Sequence, residues 1–171
     1  IAPLEFVQFS NIASPGMTPQ NMWDLHCKIE ELLARDDVAG VVVTHGTDTL
    51  EETSFFLDIT AKSQKPVVCT AAMRGASDIS PDGPYNIYCS VKTAASPQAV
   101  GMGVMVCLDE ILQAPGEVMK THSANPATFQ SPWWGPIGYV DIDHIVWRRK
   151  VLGVKRFHPQ ALTARVDLIK C

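Results

Sequence analysis

At 171 residues the chain is long enough to bury a core of its own, as one domain or one domain with a further fragment. Hydrophobic residues make up 46% and charged residues 19%, ordinary globular usage that speaks against disorder, while a net charge of -4 and a pI near 5.7 speak against a nucleic-acid surface. No stretch reaches the roughly 18 continuous apolar residues that a membrane helix needs.

The chain opens at Ile1-Ala2-Pro3-Leu4 without an initiator Met and stops at Val166-Asp167-Leu168-Ile169-Lys170-Cys171, within what reads as a strand, so both ends read as cuts. Residues 4–9 form an apolar run that predicts a strand entering the turn-rich loop Ser10-Asn11-Ile12-Ala13-Ser14-Pro15-Gly16. Thr18 stands as an N-cap ahead of Pro19. Met22, Leu25, Ile29, Leu32 and Leu33 then recur at helical spacing until Arg35-Asp36-Asp37 breaks the pattern, which predicts an amphipathic helix. The β-branched residues 38–43 predict a parallel strand buried on both faces. A polar loop leads to a second helix carrying Phe55, Phe56, Leu57 and Ile59. Another buried strand follows at 67–70, a loop at 77–84, a helix at 85–95 and a strand at 103–108.

Strands and helices alternating in this way predict an α/β fold with a doubly wound, mostly parallel sheet, whose strand carboxyl ends form the natural ligand crevice. Residues 110–113 and 118–121 flank Ala114-Pro115-Gly116 and predict a β-hairpin extension. Further strands are expected at 137–140 and 145–148, with a linker over 151–163 before a final strand. The basic run Arg148-Arg149-Lys150 reads as a solvated strand end.

Five cysteines, Cys27, Cys69, Cys89, Cys107 and Cys171, include no CxxC pair, so neither a zinc site nor a disulfide framework is signalled. Buried free thiols are expected, and that usage fits a reducing compartment. His26, His45, His122, His144 and His158 show no metal-ligand spacing and read as structural or exposed. Trp133-Trp134 read as aromatics packed beneath a loop or at a subunit contact.

Thr47 and Asp48 sit where a buried strand gives way to a helix N-terminus, where backbone N–H groups and the helix dipole favour an anion or a developing oxyanion. By itself such a pair reads as helix capping, Lys120 as a surface lysine on a hairpin, and Ser14 as a turn former.

The run His45-Gly46-Thr47-Asp48-Thr49-Leu50-Glu51-Glu52-Thr53 closely resembles the second signature of the bacterial-type L-asparaginase and glutaminase-asparaginase family. Further matches arrive in order: Ala72-Met73-Arg74 after its strand, Asp82-Gly83-Pro84-Tyr85-Asn86 at a helix start, Val118-Met119-Lys120-Thr121, then Phe129-Gln130-Ser131 and Gly135-Pro136-Ile137-Gly138. The resemblance implies the N-terminal domain of a two-domain protein over residues 1–150, an interdomain linker over 151–165 and the start of a C-terminal domain over 166–171.

It also implies hydrolysis of L-asparagine to L-aspartate and ammonia, with L-glutamine as a second substrate, and no metal or nucleotide cofactor. Thr47, Asp48 and Lys120 would form a catalytic triad in which the lysine amine helps to deprotonate a hydroxyl or activate water. A lysine serves as base only where burial or a neighbouring cation favours its neutral form, and an adjacent carboxylate such as Asp48 acts the other way. Asp48 would also grip the substrate α-ammonium, Ser14 its α-carboxylate and the Ala72 carbonyl its side-chain amide, with Thr47 among the substrate-binding residues as well. Pro15 stands where the family carries glutamine.

The family's other, nucleophilic threonine lies in a Thr-Gly-Gly-Thr-Ile motif that does not occur here, so these 171 residues alone are expected to have negligible amidase activity. The resemblance further implies a homotetramer built as a dimer of dimers, with partners limited to a small-molecule substrate and other copies of the chain; charge and hydropathy speak against nucleic acid and membrane, and the cysteine usage points to a cytoplasmic location, a periplasmic one staying open. Two other readings are an amidase subunit of a tRNA-dependent amidotransferase and a catalytically inactive fragment with a binding or structural role.

Overall fold

In the computed structural model, which describes residues 3–152 and 154–166, the first regular elements are a 3-10 turn at Ser14–Gly16 and helix α1 (Pro19–Leu33). Thr18 caps α1 as its position predicts: its Oγ1 accepts the Asn21 N–H at 3.2 Å, and its own N–H donates to Asn21 Oδ1 at 3.0 Å. At the other end Lys65 donates its amine to the carbonyls of Leu33 and Arg35, placing a cation where the helix leaves acceptors unpaired. Residues 4–9 do not form the expected strand. Leu4, Phe6, Val7 and Phe9 are exposed, and no described strand pairs with them, so the apolar run lacks the ladder that a strand requires.

The sheet runs β1 (Val41–Thr44), β2 (Val67–Thr70), β3 (Val104–Leu108), β4 (Ile111–Gln113), β7 (Gly138–Val140) and β8 (Ile145–Trp147) in that spatial order. The first three strands are parallel, and the last three continue the sheet by antiparallel pairing. Helix α2 (Leu50–Thr60) follows β1, and α3 (Gly83–Ala94) follows β2.

The period of two along each strand divides the core between the two faces of the sheet. Val43, Cys69 and Val106 lie in register and pack with Leu25, Ile29 and Leu33 of α1 and Leu50 and Leu57 of α2. Val68 and Met105 pack on the other face with Cys89 and Ala94 of α3, Leu112 and Ile137. Each fully buried aliphatic side chain contributes about 1.5–3 kcal/mol, and helices on both faces give the doubly wound arrangement. Burial on both sides belongs to β2 and β3. β1 lies at the edge of the described sheet, with Val43 buried, Val41 and Val42 half-buried and Thr44 exposed.

The flanks of Ala114-Pro115-Gly116 do not pair as expected. β4 has β3 on one edge and β7 on the other, so residues 118–121 have no free edge to join. They contribute β5 (Met119–Lys120) instead, which pairs with β6 (Phe129–Gln130) in a separate two-stranded ribbon. The tight hairpin turn is Asp109-Glu110 between β3 and β4, with φ of 51° and 64°, the sign that two-residue hairpins demand.

Arg149 is not a solvated strand end. Its guanidinium pairs with Glu117 and donates to the Gly135 carbonyl at 2.6 Å, tying three loops together in a half-buried site. Cys69, Cys89 and Cys107 are buried free thiols, pushed by burial up to about 12, about 11 and about 12, which leaves them inert as nucleophiles; Cys27 is exposed. Residues 154–158 hold no regular element yet dock on α2, through the Phe157 N–H to the Ile59 carbonyl at 2.7 Å and Arg156 to Asp58 at 3.6 Å. The strand expected from Val166 onward lies, beyond Val166 itself, outside the described residues.

Candidate active site

Thr44 ends β1, and the ladder extends one step further through the His45 N–H to the Thr70 carbonyl at 2.8 Å. The chain then turns through Gly46, Thr47 and Asp48 before α2 begins at Leu50. Thr49 holds the N-cap position without capping; its hydroxyl donates instead to the Ser14 carbonyl at 2.8 Å. The Asp48 N–H donates to Ser14 Oγ at 3.2 Å. A Cβ on Gly46 would stand 2.5 Å from Ser14 Oγ, so only glycine lets the two loops approach this closely. His45 is held locally, with Nδ1 2.7 Å from the Gly46 carbonyl and Nε2 3.2 Å from Thr53 Oγ1.

Lys120 reaches this loop from the β5–β6 ribbon. Its amine lies 2.8 Å from Thr47 Oγ1 and 2.6 Å from Asp48 Oδ1. The Asp48 side chain is 57% exposed and that of Lys120 21% exposed, so water screens the ion pair and its contribution to stability stays below about 1 kcal/mol. Such a pair does more to fix the amine than to hold the fold together.

Ala72 lies just past the carboxyl end of β2, beside the turn that carries Thr47. Its loop is set from below. The Asp82 carboxylate accepts the N–H groups of Met73 and Arg74 at 3.0 and 2.9 Å. Asn86, fully buried, donates to the Ala71 carbonyl at 2.9 Å and accepts the Asp109 N–H at 2.9 Å. Partial burial would push the Asp82 carboxyl up, but the N–H groups of Met73 and Arg74 and the Asn86 amide outweigh it and hold the group below its ordinary range.

Of the five residues singled out in the sequence, contacts join Ser14, Thr47, Asp48 and Lys120 into one cluster, and no hydrogen bond joins Ala72 to the other four. Glu51 belongs to the cluster without having been assigned a role: its Oε2 accepts the Lys120 backbone N–H at 2.7 Å. The available signal was its place in the first helical turn, three residues after Asp48. Trp133 and Trp134 do not pack beneath a loop, being 87% and 70% exposed.

An amine that contacts both a hydroxyl and a carboxylate, beside a helix N-terminus at the carboxyl edge of a parallel sheet, defines an α/β protein with a polar site of the kind suited to proton transfer. The family model described as Asparaginase, N-terminal matches residues 1–152, and the chain belongs to the asparaginase family. It is 43% identical to L-asparaginase 2 of Bacillus subtilis over 84% of this chain and 38% of that protein. It is 41% identical to L-asparaginase 2 of Escherichia coli over 87% of this chain and 42% of that protein. With the glutaminase-asparaginase of Pseudomonas fluorescens it shares 38% identity over 87% of this chain and 41% of the relative. The chain thus spans about two-fifths of the length of these curated relatives. The crystal structure of a probable cytoplasmic L-asparaginase from Campylobacter jejuni superposes with a TM-score of 0.83 at 40% identity, over 88% of this chain and 48% of that one.

Proposed function

We propose that these residues form the N-terminal part of an amidohydrolase that cleaves L-asparagine to L-aspartate and ammonia, with L-glutamine as a second substrate. The observation that carries the reading is the contact of the Lys120 amine with both the Thr47 hydroxyl and the Asp48 carboxylate. At 2.8 Å a proton can pass between hydroxyl and amine in either direction, so Thr47 can act as nucleophile or deliver an activated water. A substrate α-ammonium seated on Asp48 would share that carboxylate with Lys120, and repulsion between the two cations would favour release of a proton from the amine. The Ser14 hydroxyl, which accepts the Asp48 N–H, keeps its own proton for a substrate carboxylate. The Ala72 carbonyl, at the end of the adjacent strand, is the acceptor that would prefer an amide NH₂ to a carboxylate.

Full turnover on this reading also takes a second, nucleophilic threonine from a segment not among these 171 residues. The arrangement around it is an N-terminal domain over 1–150, a linker over 151–165, and a homotetramer in which neighbouring subunits complete each site. A cytoplasmic location agrees with the three buried free thiols and with the name of the Campylobacter relative. The test is ammonia release from L-asparagine and L-glutamine by the complete gene product and by the 171-residue chain. Activity in the former and silence in the latter is expected. An inactive complete product, or a fully active 171-residue chain, would contradict the reading.

A further inference from the structure

The Lys120 amine is placed by its contacts with Thr47 and Asp48, but the backbone that carries it belongs to a ribbon of two residues paired with two, an arrangement that is marginal without outside support. The ladder of that ribbon uses the Thr121 N–H, which donates to the Thr128 carbonyl at 2.9 Å, so the Lys120 N–H points the other way, out of the ribbon and toward α2. Glu51 Oε2 meets it there at 2.7 Å, across 69 positions of sequence. One short stretch of chain therefore grips one residue at two points: Thr47 and Asp48 hold its amine, and Glu51 holds its backbone.

We propose that Glu51 is a positioning residue for the Lys120 amine. Its carboxylate lies in the first turn of α2, where the helix dipole favours a negative charge, and the same turn is continuous with the loop that carries Thr47 and Asp48. The distance between the lysine backbone and its target hydroxyl is thus set within five residues, rather than through the whole sheet. The other anchors of the ribbon act further from the amine: Val118 and Phe129 are buried in the core, and Gln113 Nε2 donates to the Phe129 carbonyl at 3.2 Å. Without Glu51 the Lys120 N–H loses its partner, and the flexible lysine stem still reaches Thr47 but is no longer held there. Binding groups on the β1–α2 loop are untouched, so the defect falls on the chemical step.

The catalytic consequence rests on the amidohydrolase reading above, whereas the fixing of β5 does not, and two measurements on the complete gene product separate them. In ammonia-release kinetics with L-asparagine, Glu51→Ala is expected to lower kcat by about 100-fold, with KM changed far less. Glu51→Gln, which keeps an oxygen acceptor for the Lys120 N–H, is expected to restore most of the rate, an outcome that loss of helix stability alone would not give. In hydrogen exchange, the peptide spanning residues 118–122 is expected to lose protection in Glu51→Ala and to keep it in Glu51→Gln. Wild-type kcat in Glu51→Ala, a Gln variant as impaired as the Ala variant, or unchanged protection at 118–122 would each overturn the proposal. A wild-type product that releases no ammonia would contradict the amidohydrolase reading, and exchange at 118–122 would then decide the role of Glu51 alone.

Discussion

Ser14 and Asp48, 34 positions apart in the sequence, are bound directly: the Asp48 N–H donates to the Ser14 hydroxyl oxygen at 3.2 Å, with Gly46 packed against the same side chain. The loop before α1 and the loop before α2 are therefore one structural unit, and any atom added between them displaces both.

Gly46→Ala tests that unit. The new Cβ would stand 2.5 Å from Ser14 Oγ and 2.7 Å from Ser14 Cβ, too close for either to remain in place. Urea unfolding is expected to show a loss of about 1–3 kcal/mol, the usual cost of overpacking, and asparagine turnover should fall with it. A variant with wild-type stability and turnover would show that the two loops move independently.

Arg149→Ala is expected to destabilise the fold by more than a surface charge would. The guanidinium pairs with Glu117, whose side chain is 16% exposed, and also holds the Gly135 carbonyl, so truncation leaves a half-buried carboxylate without its partner. Removing one member of such a pair costs about 2–4 kcal/mol when discounted for partial exposure, to be read as a shift in the urea midpoint. A loss below about 0.5 kcal/mol would place the residue among ordinary surface charges.

Much of the fold could be read directly from local pattern. The capped helix at Thr18-Pro19, the buried strand at 67–70 and the strand-loop-helix order around Thr47 all follow from spacing and from residues acting on their near neighbours. Where pairing depends on distant chain, the same cues mislead. Residues 4–9 have strand composition but no pairing strand among the described residues, and Pro115-Gly116 carries the turn signal while the actual hairpin turn uses Asp109-Glu110, the second of which is not suited by default to positive φ. At the site, the resemblance singled out Ser14, Thr47, Asp48, Ala72 and Lys120, but the bonds that join Glu51 with Lys120 and Ser14 with Asp48 span 69 and 34 residues and leave no trace in sequence spacing.

Glu110→Gly is expected to stabilise the protein. Glu110 sits at φ of 64°, where a side chain is strained and glycine is not, and relief is worth about 0.5–1 kcal/mol. The substitution also removes the Glu110 carboxylate, whose influence together with burial pushes the Tyr85 hydroxyl up to about 12, but Tyr85 is exposed enough for water to take the place of that carboxylate. A higher urea midpoint checks the balance, and a lower one would show that the Tyr85 contact outweighs backbone strain.

Asp58 gives a pH dependence of definite sign. Burial pushes its carboxyl above the ordinary value of 3.8, although the Val104 N–H and Arg156 pull the other way. The fold therefore favours the protonated form. Its stabilising contribution is complete below pH 3.8 and is lost as the pH rises through the higher folded value. Asp58→Asn keeps an acceptor for Val104 and does not titrate, so its stability relative to wild type should improve from pH 4 to pH 7 in paired urea unfolding curves. A difference that stays constant, or moves against the variant, would mean that Arg156 governs the carboxylate.

That the Lys120 amine acts on the Thr47 hydroxyl is tested most directly by kcat for ammonia release from L-asparagine in the complete gene product and its Lys120→Met variant. A fall of about 100-fold or more is expected, in the range of a lost acid or base, with the urea midpoint nearly unchanged because the screened pair with Asp48 adds little stability. An undiminished kcat in a folded Lys120→Met variant would contradict it.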